Sequence, residues 1–291
     1  MKLASAFVLI ATCAALGAGC GSGSSGPATH VVVTRDFGAK VVATATEVDA
    51  TSGLTAMRQL QSVHTATTSY GGRYVDSIEG LKEDGDSSWL YYVNGIESTN
   101  AASSERLKAG QTVQWDFHAW QTIRTGGAIV GAYPQPLKTG GVRLICAPER
   151  SQACRVTREG LVESGIAVNS KGSARVVVGT WSDIQGFDGV PDLTSDGETN
   201  GAFAQFSSSG GKLTPFSADG SEGRALKSKA GLLAPFAQDG KNVVWVVTGV
   251  DDAGVESAAR LLDGGAEKLK NRFALLTSPS GSDPLPEGAG E

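Results

Sequence analysis

Apolar and polar positions alternate through the first third of the chain. His30-Val31-Val32-Val33-Thr34-Arg35-Asp36 reads as a strand, broken at Phe37-Gly38-Ala39, and Val41 to Thr46 reads as a second β-rich run. The period then changes. Leu54, Met57 and Leu60 form one apolar stripe at helical spacing, which predicts a helix capped at Thr51 or Ser52 and ending near Val63. Tyr70-Gly71-Gly72 is a turn entering a strand that runs toward Ile78. Asp84-Gly85-Asp86 turns the chain into a strand at Trp89, which ends in the Asn94-Gly95 hairpin signal. Gly110 to Trp120 reads as a closing strand. The expected fold class is α+β, with a β-rich domain and one packed helix over residues 30–122.

Tyr133-Pro134-Gln135-Pro136 is a stiff break and marks a domain boundary. Beyond it, Gly141 to Cys146, Ala174 to Trp181, Val243 to Val247 and Phe273 to Leu276 read as strands. Cys154 to Ser164 and Asp252 to Leu262 read as helices, and residues 201–216 as a hairpin. Val243-Val244-Trp245-Val246-Val247 is unbroken and apolar, as in a strand buried on both faces. Residues 128–277 are therefore expected to form an α/β domain with a mixed sheet. Residues 278–291, rich in Gly, Pro, Ser and Glu, read as a disordered tail. Asp251 and Asp252 open the last helix, where two acidic groups suit dipole capping better than phosphate binding.

Aromatic residues are concentrated in two strands. Trp89, Tyr91 and Tyr92 lie on one, and Trp115 and Trp120 on the other, together three of five tryptophans and two of five tyrosines. Two readings stand side by side: a core face with cross-strand pairs, or a platform for a flat ligand. Under the second, Trp89, Tyr91 and Trp120 are the candidate ligand-binding residues. Five positions separate Trp115 from Trp120, so a two-residue period turns them to opposite faces. His118 alternates with Phe117 and Ala119 and reads as solvent-facing; the alternative is a metal ligand.

Met1-Lys2 precedes an apolar run from Leu3 to Leu16, too short to span a bilayer, so residues 1–19 read as a signal peptide. Small residues before Cys20 resemble a lipobox, with Gly17 where Leu is usual. Cys20 is the expected lipidation site; the alternative is an ordinary signal peptide in which it has no role. Residues 20–29 read as a flexible tether spanning on the order of 15–20 Å. The localisation that follows is the extracytoplasmic face of the cell membrane, held by lipid and not by a helix. Removing the leader takes away Lys2 alone, leaving 24 basic against 30 acidic residues, interspersed and without a basic patch for nucleic acid. In an exported protein the isolated pair Cys146 and Cys154 reads as a disulfide, and no neighbouring histidine makes a metal site of it. Phosphate-binding glycine loops, nucleophile elbows and His-Glu metal motifs are absent from the sequence, so neither an enzyme nor a resident metal or cofactor is expected.

Val32, Thr34 and Phe37-Gly38, the Gly53–Met57 helix start, Tyr70-Gly71, Tyr74-Val75, Ser77-Ile78, Gly80, Trp89, Tyr91, Val93-Asn94-Gly95, Gly110, Val113 and Trp120 form an ordered set. This set resembles the transcobalamin C-terminal-like domain family of bacterial surface proteins. In vertebrate cobalamin carriers the matching domain closes over one face of the corrinoid, and a helical barrel covers the other. Trp89 and Tyr91 match the family's aromatic strand, and Trp120 its closing tryptophan. No stretch of this sequence reads as the barrel. The resemblance therefore implies cobalamin or another small ligand presented to a transporter or to a second ligand-binding protein. The competing function is a structural or adhesion module of the envelope with protein partners.

Overall fold

The computed structural model describes residues 27–121, 123–238, 240–264 and 266–289. The expected signal peptide and Cys20 lie outside them. The first unit runs β1 (Thr29–Arg35), β2 (Lys40–Val48), α1 (Ala56–Val63), β3 (Ala66–Ser69), β4 (Tyr74–Ile78), β5 (Leu81–Lys82), β6 (Ser87–Val93), β7 (Ile96–Glu97) and β8 (Thr112–Ala119). Its main sheet has the order β2-β1-β8-β6-β7, with β1 parallel to β8 and the other pairs antiparallel. Strands β3, β4 and β5 form a separate small sheet. The second unit runs β9 (Val142–Ala147), α2 (Gln152–Glu163), β10 (Ala174–Thr180), α3 (Trp181–Ile184), β11 (Ala204–Phe206), β12 (Leu213–Pro215), β13 (Gly231–Gln238), β14 (Lys241–Gly249), α4 (Asp252–Ala259), β15 (Ala274–Ser278) and β16 (Gly281–Leu285). Six of these strands make one mixed sheet, β16-β15-β13-β14-β10-β9. The α+β class is what the chain adopts.

Period-two sorting explains how the first sheet is buried. Val31, Val33, Val113, Trp115, Phe117, Trp89 and Tyr91 point to the face that receives Leu54, Met57 and Leu60 of the α1 region. Burying each such aliphatic or thioether side chain stabilises the fold by roughly 1.5–3 kcal/mol. The cap of α1 is Thr55, whose side chain accepts from the amide of Arg58; Thr51 and Ser52 lie ahead of it in an exposed turn. The apolar stripe was sufficient to find the helix but not its first residue. Asn94 and Gly95 both have positive φ (51° and 79°), as the two-residue hairpin turn between β6 and β7 requires.

Strand β14 is paired on both sides, parallel to β10 and antiparallel to β13. Trp245 and its neighbours are accordingly buried on both faces. Asp251 caps α4 by accepting from the amide of Gly254 and also from that of Lys229, which fits dipole capping. Cys146, near the end of β9, is disulfide-bonded to Cys154 in the first turn of α2.

Three expectations need correction. Thr29, placed in the flexible tether, is the buried first residue of β1, and its Oγ1 donates to the carbonyl of Val48 at 2.9 Å. The tail from 278 is ordered as far as 289: β16 pairs with β15 along its whole length, and Leu285 is buried. Its polar composition misled because edge pairing uses backbone groups, which composition does not report. Lastly, the two expected domains share a core. Phe37 and Tyr92 of the first unit belong to one cluster with Phe203, Phe236 and Phe273 of the second.

A candidate ligand-binding cleft between the two units

The face of the first sheet turned toward the second unit is polar along β8. Gln114, Asp116 and His118 alternate there, and all three are buried. Asp116 lies at the centre. Its Oδ1 accepts from the amide of Phe37 at 3.1 Å and from His118 Nδ1 at 2.7 Å. Its Oδ2 accepts from the amide of Gly38 at 2.8 Å and from Thr34 Oγ1 at 2.6 Å. The two amides converge because Asp36, Phe37 and Gly38 all take positive φ, which aims successive N–H groups into one concavity. Left-handed backbone costs roughly 1–2 kcal/mol at each of the two non-glycine residues. Charge-assisted hydrogen bonds to a buried carboxylate offset that cost.

His118 is thus not solvent-facing: 1% of its side chain is exposed. Its ring is 4.3 Å from Phe37 and 5.4 Å, edge-on, from Phe273. The alternation was read correctly, but the face assigned to solvent is covered by the second unit. A carboxylate that already accepts two amide protons and a hydroxyl proton takes a fourth from Nδ1–H. That holds the imidazole in one orientation.

His118 lines a cavity of about 800 Å³ in the cleft between the units. Leu90, Ile123 and Phe236 supply apolar wall, while Arg124 and Arg175 bring positive charge. Arg175 is held by Asp188, with Nη1 2.7 Å from the carboxylate. Trp120 lines the same cavity and is 49% exposed; the other four tryptophans are buried.

The three candidate aromatics are not brought together. Trp89 and Tyr91 lie on the α1 face of the sheet and border a different cavity, of about 600 Å³, under the 97–104 loop. Both are buried and packed on neighbours: Tyr91 stacks on Trp115 at 4.8 Å and Trp89 meets Phe117 at 5.1 Å. Their polar atoms are engaged internally. Trp89 Nε1 donates to the carbonyl of Leu81, and the Tyr91 hydroxyl donates to that of Asn100 at 2.7 Å. Desolvation pushes the Tyr91 hydroxyl up to about 12, with the Ser98 hydrogen bond opposing and the Glu105 carboxylate adding. Burial likewise holds the Tyr92 hydroxyl well above its usual range, reinforced by Glu97 and Asp116. For Trp89 and Tyr91 the geometry is that of a core. For Trp120 it is that of a cleft wall.

Sequence reasoning missed Asp116, Arg124 and Phe236. Asp116 carried a readable signal, since Asp-x-His on a strand places both side chains on one face. The other two meet the cleft only through the packing of the second unit.

Residues 51–119 match a domain family of unknown function, DUF4430. The matched stretch runs from the turn before α1 to the end of β8 and so includes Asp116 and His118. No curated protein matches the chain. Among solved structures, one from Ruminococcus gnavus ATCC 29149, described as a "putative metal binding protein", is 10% identical, with a TM-score of 0.25. The match covers 32% of this chain and 97% of that one. A likeness of that size says nothing about what this chain binds.

Proposed function

We propose that the protein is a cell-envelope binding protein that takes a small, flat organic ligand into the cleft between its two units. The observation that carries this reading is Trp120, a half-exposed indole on the wall of a cavity of about 800 Å³. Ligand sites of this size are mostly apolar, with a few placed polar groups, and occur where units meet. The resemblance to transcobalamin C-terminal-like domains adds a corrinoid as the first ligand to try, handed to or from a transporter or a second binding protein. Cys20 is the proposed lipid anchor to the membrane.

The test is titration of the full chain with cobalamin and cobinamide, followed by tryptophan fluorescence and calorimetry. Saturable quenching that disappears in Trp120→Phe is the expected result. Absence of both heat and quenching at high micromolar corrinoid removes the corrinoid. Anchoring is read separately, by mass spectrometry of the membrane-extracted protein: diacylglycerol on a chain beginning at Cys20, lost in Cys20→Ala. A mature form cut elsewhere sinks the anchor.

A second reading, a partner-binding or adhesion module, is favoured by a different observation. Tyr70 and Tyr74, at the tip of the β3–β4 hairpin, are 82% and 64% exposed and meet edge-to-face at 5.8 Å. Two exposed rings in contact form a ready hot spot for a protein surface. Tyr70→Ser with Tyr74→Ser should abolish partner capture while leaving cleft binding unchanged.

A further inference from the structure

We propose that the open edge of β6 takes up an extended, acidic peptide segment of a partner protein as an added strand, whose side chains drop alternately into two cavities. This goes beyond both readings above and needs neither a flat ligand nor the Tyr70–Tyr74 tip.

Strand β6 is paired along its whole length on one side only. There it meets β8 from Ser87↔Ala119 to Val93↔Val113. On the other side β7 covers just Tyr92 and Val93. One more bond follows, from the amide of Ser98 to the carbonyl of Tyr91, and the chain then leaves the sheet. That bond shows which backbone groups face outward. In a strand the N–H and C=O of one residue point to the same side, and residues two apart share that side. Trp89 therefore turns both of its groups, and Tyr91 its N–H, toward the side that β7 has left. Among the described residues no loop or side chain bonds to any of the three. The open stretch ends at Ser87, whose amide donates to Asp84 Oδ1 at 2.9 Å. An unpaired edge of this kind is a template for another chain.

There is space on both faces of that edge. The cavity of about 800 Å³ lies on the side of the sheet turned to the second unit, and the cavity of about 600 Å³ on the α1 side. Leu90, Glu97 and Thr99 border both, so the two cavities meet where β6 is uncovered. Successive side chains of an added strand point to opposite faces. One set enters beside Trp120 and Phe236, the other beside Tyr74 and Arg73. Main-chain bonds then give affinity, and the two cavities give specificity.

Charge selects the peptide. The chain carries a formal net charge of −5, yet the charged groups lining the two cavities, among the described residues, are Arg73, Arg124 and Arg175 against Glu97. Arg175 is engaged by Asp188, and Glu97 accepts from Thr125 Oγ1. Arg73 and Arg124 are exposed and form no ion pair among the described residues. Such a lining favours Asp and Glu on the incoming segment and opposes Lys. It also opposes a second copy of this chain, whose own β6 edge brings the same arginines.

The test is titration of the full chain with a fluorescent peptide, Val-Glu-Glu-Tyr-Glu-Glu-Val, beside its Lys-for-Glu counterpart and two forms N-methylated at alternate residues. Saturable binding of the acidic peptide is expected, with the lysine form weaker by about tenfold or more. One N-methylated form should bind like the parent and the other about tenfold worse, because only alternate amides of a strand face its neighbour. Hydrogen exchange at the Trp89 and Tyr91 amides should slow when the peptide binds. Arg73→Glu with Arg124→Glu, both on exposed side chains, should reverse the charge preference. Failure of the acidic peptide to bind at high micromolar concentration overturns the inference. Equal binding of the two N-methylated forms, or unchanged exchange at Trp89 and Tyr91, does so as well. A Trp89 amide already protected in the free chain, or protected only as a dimer forms on concentration, gives the edge to this chain itself and likewise overturns it.

Discussion

Gly38 sits directly beneath the carbonyl of Asn271: a Cβ built on it would lie 1.7 Å from that oxygen. This contact joins the loop that cradles Asp116 to the segment before β15. Gln114 Nε2 reaches the same carbonyl at 3.0 Å. At Gly38 the two units therefore meet backbone against backbone, with no room for a methyl group.

Gly38→Ala should destabilise the whole chain by about 1–3 kcal/mol through overpacking, added to the left-handed backbone penalty. Gly53 is the control. It has the same φ of +77° but nothing within 4 Å of its Cβ, so Gly53→Ala should cost only the backbone term. Chemical denaturation of both variants checks this. Equal losses would mean that the units do not press together here.

Trp115 and Trp120 are 1% and 49% exposed, and this contrast separates core from cleft. Trp115→Ala should cost about 3–5 kcal/mol and lower the melting temperature sharply. Trp120→Ala should fall within about 0.5 kcal/mol of the parent, as surface substitutions do. Its effect belongs in ligand titration instead. A Trp120→Ala protein that fails to fold returns this residue to the core and removes the cleft wall.

How far the sequence could be read follows from where each signal was local. The β1, β6 and β8 alternation, the Asn94-Gly95 turn, the α1 stripe and the Cys146–Cys154 pair depend on near neighbours. All of them are realised in the fold. The two faces of β8 were also separated correctly, but only one was recognised as buried. Gln114, Asp116 and His118 look like a solvent face because their partners lie about 80 and 157 residues away, at Thr34, Phe37, Gly38 and Asn271. Strand β13 passed unread since Pro235 interrupts GLLAPFAQ, yet it pairs opposite Trp245 in the middle of the large sheet. The cleft exists only once both units are packed, so no single stretch announces it.

Stability should fall at alkaline pH, and Tyr91 supplies part of the slope. Its folded value near 12 lies above the ordinary value of 10.0 because burial disfavours the phenolate. A folded value raised in this way gives stability that is complete below pH 10 and is lost as pH rises from 10 toward 12. Tyr92 and Tyr133 act in the same direction. Tyr91→Phe should cost about 1 kcal/mol at neutral pH, where the hydrogen bond to Asn100 is intact. The deficit should shrink as pH climbs, because phenylalanine has nothing to ionise. Denaturant midpoints measured from pH 8 to 12 test this, and two curves that stay parallel would count against the assignment.

The C-terminal segment gives the sharpest contrast between composition and structure. β16 pairs with β15 from Ala274↔Leu285 to Ser278↔Gly281, and the amide of Glu287 donates to the carbonyl of Phe216 at 2.9 Å. Leu285, 1% exposed, packs in the cluster that also contains Phe216, Phe273 and Leu276. Leu285→Ala should therefore cost about 2–5 kcal/mol, as large-to-small changes in a core do. Removing residues 279–291 should cost at least as much. It also uncovers the β15 edge, whose free N–H and C=O groups then invite pairing with another chain. The truncated protein is expected to melt several degrees lower, to lose hydrogen-exchange protection along β15, and to aggregate on concentration. A truncated chain with unchanged melting temperature and unchanged β15 protection would restore the disordered tail that the composition suggested.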